Sequence, residues 1–325
     1  MRTNVTGADR KRTATPAGSA ESAVQPAAGG NVRGAVFMML SMAGFVINDT
    51  LMKSLSADLP MFQSIFVRGA VATVLIAALA WHRRALWYRP SATTMKIISL
   101  RVIGELGATV CFITALFNMP IANATAILQV SPLAVTLGAA LFLGEAVGWR
   151  RYSAILAGFL GVMLIVRPGS EGFTIYAVYA LGAVVFFVMR DLVTRRLPAD
   201  VPSLFVTVIS SIAVMTMAGA LIAADSWQPV TLAQFGVLAL AAIFVLIGYF
   251  FGIRTMRVGE IGFISPFRYT ILIWAMILGF IVFGDVPDAL TMIGSTIVVL
   301  TGLYAFHRER RHAQEILKIS PRAGH

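Results

Sequence analysis

Apolar residues along the chain are grouped into long runs that short polar connections separate. Ten runs can be distinguished, at 34–52, 61–81, 97–117, 121–143, 152–166, 173–189, 203–224, 232–253, 261–283 and 289–306. An α-helix needs roughly 20 apolar residues to cross the hydrocarbon core of a bilayer, and most of the runs are close to that length. The pattern therefore predicts an all-α integral membrane protein with ten transmembrane helices, numbered spans 1 to 10 in chain order.

The composition agrees with a membrane protein and excludes a water-soluble enzyme. Hydrophobic residues make up 58% of the 325 positions and charged residues only 13%. Soluble domains contain about 25% charged residues. The polar segment 1–30 has no apolar run and is predicted to be a disordered cytoplasmic tail, and residues 307–325 are predicted to form a basic cytoplasmic tail. Cys111 is the single cysteine, so no internal disulfide can form.

The distribution of basic residues predicts the orientation of the chain. If the N terminus lies inside, most of the 26 lysine and arginine residues fall in inside segments, and the outer loops hold only Lys53 and Arg167. Short loops rich in lysine and arginine stay on the cytoplasmic side. We therefore expect both termini to be cytoplasmic. The net charge of +11 then follows from topology, and we expect no nucleic-acid partner.

The sequence contains an internal repeat. Residues 45–60 match residues 187–202 at a constant offset of 142, with seven identities that include the pair Asp49 and Asp191. Further along, two dipeptides of the first half recur in the second: Ser131-Pro132 as Ser265-Pro266, and Gly144-Glu145 as Gly284-Asp285. The alternative is a coincidence between apolar helices of similar composition.

The repeat divides the chain into two units of five spans, residues 31–167 and residues 172–306. Because five is odd, the second unit must cross the membrane in the opposite sense to the first. The sequence therefore predicts two inverted five-helix repeats.

These segments resemble the EamA-type transporters of the drug/metabolite transporter superfamily. The resemblance covers residues 33–306 and is carried by short motifs in both halves: residues 122–129, Ser131-Pro132, residues 142–145 and residues 158–162, then residues 265–269, 283–285 and 294–302. It implies a ten-span metabolite carrier of the bacterial inner membrane, and many carriers of that family are exporters. The sequence departs from the family pattern at Asp285, where glutamate is commoner.

Charged residues inside the spans are the sharpest functional signal. Each costs about 2.5 to 3.5 kcal/mol at a helix centre unless it faces a partner or a cavity. Arg101 and Glu105 are four residues apart, as are Asp49 and Lys53, so each pair lies on one helical face. Such pairs could be internal salt bridges that stabilise the bundle. Alternatively, the arginines bind an anionic substrate group, and Glu105 couples a proton or exchanges with a cationic substrate.

Amide and aromatic side chains complete the predicted cavity. The candidate substrate-binding residues are Asn48, Asp49, Arg68, Arg101, Glu105, Gln129, Tyr249, Arg268, Tyr269 and Trp274. Each polar residue taken singly could instead join helices through hydrogen bonds.

Four residues are candidates for gating. Asp49 and Asp191 would lie near opposite membrane faces in an inverted pair and could close the two gates. Pro132 and Pro266 remove backbone donors early in spans 4 and 9, which predicts either fixed kinks or substrate-facing breaks. Two GxxxG patterns, Gly144 to Gly148 and Gly248 to Gly252, predict close helix contacts.

Other classes of function lack their residues in this sequence. The histidines His82, His307, His312 and His325 lie in loops or in the C-terminal tail, and no nucleophile with a base, metal-binding or phosphate-binding motif is present. We therefore expect no enzyme activity, no metal and no cofactor.

The sequence predicts a secondary transporter for a small polar or amphipathic metabolite, such as an amino acid, a vitamin or a nucleoside-like compound. Export is favoured over uptake, and a proton is the candidate coupling ion. The alternatives are a lipid or lipid-precursor flippase and a membrane scaffold. Monomer and homodimer both remain open.

Overall fold

The computed structural model describes residues 28–144, 148–169, 173–198, 200–222, 227–258 and 261–319. Twelve α-helices lie within these ranges: α1 Ala28–Ser54, α2 Met61–His82, α3 Ala92–Asn118, α4 Ile121–Leu128, α5 Ser131–Leu143, α6 Trp149–Val166, α7 Ile175–Thr194, α8 Ser203–Ile222, α9 Leu232–Val258, α10 Ile261–Ile264, α11 Thr270–Phe283 and α12 Ala289–Ile319. Short 3-10 helices occupy Ala85–Trp87 and Ser265–Tyr269. The predicted disordered tail up to residue 27 lies outside the described residues, as does Glu145.

The described residues contain ten helical segments that are long and apolar enough to cross a membrane, which confirms the predicted number of spans. Their bounds also agree closely with the prediction, with one difference that matters. Span 6 was expected to end at residue 189, but α7 continues to Thr194 and includes Arg190 and Asp191. The apolar run stops before the helix does, because polar side chains that find partners inside the bundle remain helical.

Spans 4 and 9 are both interrupted near a proline. Span 4 breaks between Leu128 and Ser131, with Pro132 in the first turn of α5. Span 9 passes through the 3-10 helix Ser265–Tyr269, which carries Pro266, before α11 begins. Proline has no N–H to donate to the preceding turn and its ring crowds the carbonyl there, so the helix breaks at these points. Both predicted helix breaks are confirmed.

The spans pack in a regular pattern. Span 1 packs along span 8 and span 6 along span 3, while spans 2 and 7, spans 5 and 10, and spans 4 and 9 pack against each other. If each span is replaced by its counterpart in the other half (1 by 6, 2 by 7, 3 by 8, 4 by 9 and 5 by 10, and the reverse), this set of packed pairs is unchanged. The packing is therefore what two equivalent five-helix units would produce, and their inversion stays a prediction.

One of the two GxxxG predictions is confirmed and the other is wrong. A Cβ atom on Gly248 would lie 2.9 Å from the ring of Phe45, and the Ser41 hydroxyl donates to the Gly248 carbonyl at 2.7 Å. Spans 1 and 8 therefore need small residues here. Gly144 and Gly148 have no such neighbour within 4 Å among the residues that the structure describes. Gly144 instead ends α5 with a φ of 69°, a conformation that glycine adopts without strain.

One end of the bundle is filled with apolar side chains from both halves. The end that contains Lys53 and the connection between spans 1 and 2 is called the Lys53 end, and the opposite end, with Arg195 and the connection between spans 6 and 7, the Arg195 end. The buried cluster near the Lys53 end consists of Val46, Met52, Leu55, Leu59, Ile65, Ile113, Leu116, Ile121, Val214, Ala218, Leu238, Ala241 and Ala275. This cluster separates the centre of the bundle from the Lys53 end.

Candidate transport cavity

A chain of ion pairs crosses the centre of the bundle and joins its two halves. Glu105 in α3 lies 3.5 Å from Arg101 of the same helix and 3.4 Å from Arg190 of α7. Arg190 in turn lies 2.8 Å from Asp191. The predicted pairing of Arg101 with Glu105 is confirmed. Opposite charges compensate each other along this chain, which offsets the cost of holding them at membrane depth.

A second polar group lies beside this chain on spans 1 and 2. Arg68 donates through Nη1 to the Asn48 side-chain oxygen at 3.2 Å, and Asn48 donates to Asp49 at 2.9 Å. Asn48 therefore connects an arginine with a carboxylate. Three of the predicted site residues form this group.

Lys53 does not pair with Asp49, contrary to the expectation from their spacing. Its ammonium group donates to the carbonyl oxygens of Leu116 and Met119, at the end of α3, and lies 5.3 Å from the centre of the Phe283 ring. The last carbonyls of a helix lack donors within that helix, and the helix dipole makes them attractive to a cation. Lys53 therefore ties span 1 to the end of span 3 and to span 9.

The central cavity has a volume of about 120 Å³ and lies between spans 2, 3, 7 and 8. Arg101 donates to the Ser210 hydroxyl at 2.6 Å, and the hydroxyls of Thr73 and Ser211 are hydrogen-bonded at 2.7 Å. The polar side chains on its wall are Arg68, Arg101, Glu105, Thr109, Thr207, Ser210, Ser211 and Tyr249. The cavity thus offers positive, negative and hydroxyl groups to a polar solute.

A second cavity, of about 310 Å³, lies between the two proline breaks and is called the proline cavity. Helices α1, α5, α7 and α12 and the second 3-10 helix form its walls. It collects six residues that the sequence had singled out or paired by the repeat: Pro132, Asp191, Arg195, Pro266, Arg268 and Tyr269. Three of the four candidate gating residues are therefore neighbours in space.

Besides Asn48 and Asp49, which lie beside the charge chain, two of the predicted site residues line neither cavity. Gln129 is buried at the break in span 4, and its Nε2 atom has no hydrogen-bond partner among the described residues. Trp274 packs against the apolar clusters around Met52 and Ile264, and its ring nitrogen likewise has no partner in the described part of the chain. The structure does not bring these two side chains to the charge chain.

Several polar residues of the site were not predicted from the sequence. Arg190 was assigned to a cytoplasmic connection, although it contacts Glu105. The repeat held the signal, because the offset of 142 pairs Arg190 with Asn48 and Arg195 with Lys53. Thr207, Ser210 and Ser211 recur at the spacing of one helical face within an apolar span.

Two contacts outside the spans join the two halves. At the Lys53 end, Arg167 is paired with Asp288, and hydrogen bonds from Thr291 and Arg167 lower the pKa of Asp288 to about 2. At the Arg195 end, Tyr88 donates to Asp200 at 3.0 Å, and lost hydration together with this carboxylate raises the pKa of Tyr88.

Known proteins with similar sequences are transporters. Residues 32–167 match the EamA-like transporter family. A pseudopaline exporter of Pseudomonas aeruginosa is 29% identical over 82% of this chain and 93% of its own length. A riboflavin transporter of Vibrio cholerae is 28% identical over 83% and 91%. An S-adenosylmethionine uptake transporter of Rickettsia prowazekii is 23% identical over 86% and 94%.

The fold also has a counterpart among solved structures. A crystal structure that covers 85% of this chain and 98% of its own chain superposes with a TM-score of 0.59 at 18% sequence identity. The likeness concerns the fold, because the sequences have diverged far.

Proposed function

We propose that the chain is a member of the EamA-like transporter family, whose model matches residues 32–167, and that it is a secondary transporter for a small polar or amphipathic metabolite. Its relatives carry pseudopaline, riboflavin and S-adenosylmethionine. The charges, hydroxyls and Tyr249 ring of the central cavity match the polar and aromatic groups of an amino acid, a vitamin or a nucleoside-like compound. We favour export, with the bacterial inner membrane as the location.

The charge chain carries this proposal. Arg101 and Glu105 belong to the first predicted repeat and Arg190 and Asp191 to the second, so the ion pairs cross the boundary between the units. A scaffold could use apolar packing there at lower cost, since a buried ion pair is often no more stabilising than apolar side chains of similar volume. Charges that can exchange partners are instead suited to a site that must rearrange when substrate binds.

Alternating access follows from two inverted repeats, residues 31–167 and 172–306, that rock around this site. With both termini cytoplasmic, the Lys53 end faces outward and is closed by Lys53 and the apolar cluster. The Arg195 end faces the cytoplasm. In the inverted conformation Arg195, as the repeat partner of Lys53, would close that end, and Asp49 and Asp191 would exchange their surroundings.

Glu105 is the proposed coupling residue. It is the carboxylate that two arginines from different halves share, so its protonation would release the contact between Arg190 and span 3. Arginine keeps its proton at any physiological pH and cannot itself relay one. A proton bound by Glu105 would therefore favour rearrangement of the halves.

Untargeted metabolomics of cells and medium tests the proposed function. Cells that overproduce the wild type would be compared with cells that carry a Glu105→Gln and Asp49→Asn double variant at equal membrane abundance. Cys111→Ser, which changes a side chain outside both cavities, is the matched control. We expect one metabolite class to accumulate in the medium with wild type and control and to revert in the double variant. If the metabolites in the cells and in the medium do not differ between cells that produce the wild type and cells that lack the protein, the proposal is contradicted.

A lipid flippase is the second candidate, and one observation favours it. An apolar groove of about 610 Å³ lies between spans 4, 5 and 6, lined by Leu137, Phe142, Phe159, Val185 and Met189, with Arg196 among its lining residues. An acyl chain could occupy it while Arg196 contacts the headgroup. Transfer of labelled lipid between leaflets of proteoliposomes, dependent on the headgroup and lost in Phe159→Arg, would establish this alternative.

A further inference from the structure

The proline cavity contains more positive than negative charge. Its only carboxylate among the described residues is Asp191, which already accepts a hydrogen bond from Arg190 Nε at 2.9 Å and forms an ion pair with Arg190 Nη2 at 2.8 Å. Two more guanidinium groups, those of Arg195 and Arg268, lie on the cavity wall. Because Asp191 is already paired with Arg190, the cavity wall offers no free carboxylate to Arg268 among the described residues.

Arg268 differs from every other arginine near the two cavities. Arg101 and Arg190 are paired with Glu105, Arg68 is bonded to Asn48, and Arg195 also has an interaction partner. Arg268 is exposed into the proline cavity and makes no hydrogen bond or ion pair with the part of the chain that the structure describes. Charged residues within membrane spans typically mark substrate or ion pathways, so an arginine in such a cavity without a partner among the described residues indicates a function.

The wall next to Arg268 is shaped around an aromatic ring. The Tyr269 hydroxyl lies so close to Gly302 that a Cβ atom at this position would overlap the Tyr269 oxygen. Glycine at position 302 thus makes room for the ring, which presents a flat apolar surface beside the charge. The volume of about 310 Å³ is at the lower end of the range for small-molecule sites.

We propose that the proline cavity is a docking site for the carboxylate or phosphate group of the transported metabolite, with Arg268 as the residue that binds this group. The inference rests on the proposed function and names the chemical class of the substrate. The ligand is a soluble anion, because hydroxyl-bearing residues of α5 and the Tyr269 ring line the cavity beside the arginine, and helices from both halves enclose it. The paired charges of the central cavity act in the next step, when the halves rearrange.

Protection of a reporter cysteine measures binding without knowledge of the natural substrate. Thr136 lies on the cavity wall, and Cys111 is the only cysteine to remove. Full-length Cys111→Ser, Thr136→Cys protein in phosphatidylcholine vesicles would be labelled with the neutral reagent N-ethylmaleimide. The probes are succinate, glutamate and inorganic phosphate, with neutral succinamide as the comparison at equal ionic strength.

We expect at least one of the three anions to slow labelling, and succinamide to leave it unchanged. Arg268→Gln should raise the half-protecting concentration about tenfold or more, because a charge-assisted hydrogen bond is lost, while Arg268→Lys should keep part of the protection. Arg254→Gln is the matched control, since Arg254 is an exposed arginine outside both cavities. Absence of protection by all three anions, or equal protection in Arg268→Gln, would overturn the proposal.

A second set of vesicles with added phosphatidylglycerol distinguishes a lipid headgroup from a soluble anion. If labelling is slow in these vesicles without any probe, and Arg268→Gln restores it, the ligand is a lipid headgroup and the proposal fails. The labelling does not depend on transport. A transported metabolite that carries no anionic group would therefore overturn this inference and leave the proposed function intact.

Discussion

The Lys53 end and the Arg195 end are built from matching segments of sequence but differ in structure. Lys53 in the first segment is paired by the repeat with Arg195 in the second. Lys53 is bound to the end of α3 above a filled apolar cluster, whereas Arg195 lies on the wall of a cavity of about 310 Å³. The first copy of the repeated segment thus lies in a packed end of the bundle, and the second copy lies beside a cavity. This is the asymmetry that alternating access requires of two inverted units.

The largest effect is expected from the charge chain that lies between the two ends. Glu105→Gln leaves Arg101 and Arg190 without their shared carboxylate. The ion pair between span 3 and span 6, which joins the two halves, is then lost. We expect transport to fall by more than about tenfold and the free energy of unfolding to fall by about 3 kcal/mol. Efflux of the substrate found by metabolomics and thermal unfolding in detergent measure the two effects. An unchanged rate with an unchanged pH dependence would contradict the role of Glu105.

The next effect concerns the closure at the Lys53 end. Lys53→Met removes the charge-assisted bonds to the carbonyls of Leu116 and Met119, which should destabilise the closed end by about 1.5 to 3 kcal/mol. Ala275, which is fully buried in the apolar cluster, would serve as a cysteine reporter in a Cys111→Ser background. Labelling of Ala275→Cys should become about tenfold faster or more. Lys53→Arg should restore slow labelling, and an unchanged rate in Lys53→Met would show that Lys53 is not part of the closure.

Arg195→Met should act in the opposite direction with a smaller effect. If Arg195 closes its own end in the other conformation, its loss favours the conformation in which the Lys53 end is closed. Labelling of Ala275→Cys should then become slower than in the unsubstituted background. Faster labelling in both Lys53→Met and Arg195→Met would contradict an exchange between the ends.

The smallest effect is expected from the pair of Arg167 and Asp288, a second link at the Lys53 end. The pKa of Asp288 is lowered from 3.8 to about 2, so the pair stabilises the fold fully above about pH 4 and loses this contribution as the pH falls towards 2. Its side chain is 50% exposed, and solvent screening limits the contribution to less than about 1 kcal/mol. Asp288→Asn should lower the melting temperature slightly at pH 6 and not at pH 2.

Asp58→Asn is the control for this pair, because Asp58 is an exposed carboxylate at the same end with no ion pair in the described part of the chain. It should leave the melting temperature unchanged at both pH values. An equal loss in the two variants would assign the effect to net charge.

The spans could be predicted from the sequence because hydropathy measures the free energy of transfer into a bilayer, which each segment carries by itself. The break at Pro132 and the pairing of Arg101 with Glu105 were also local, since they depend on one helix. Lys53 was misjudged because its acceptors, the carbonyls at the end of α3, belong to backbone that a sequence motif does not mark.

Contacts between spans limited the prediction of the site. Arg190 resembles a loop arginine until the partner helix is known, and Trp274 resembles a cavity residue until its packing is known. The repeat offset carries part of this missing information, because it pairs Arg190 with Asn48 and Arg195 with Lys53. Residues that the repeat pairs with a predicted site residue are therefore better candidates for the site than residues chosen by type alone.

Distances measured across both ends would show whether the two halves rock as inverted units. Spin labels at the exposed positions Ala57 and Ala289 would report on the Lys53 end, and labels at Trp149 and Arg196 on the Arg195 end, each in a Cys111→Ser background. Double electron–electron resonance would measure the distance between the two labels of each pair, with and without Lys53→Met. If the halves rock, Lys53→Met should give a longer distance at the Lys53 end together with a shorter distance at the Arg195 end. Distances that both increase, or that both stay unchanged, would contradict this motion.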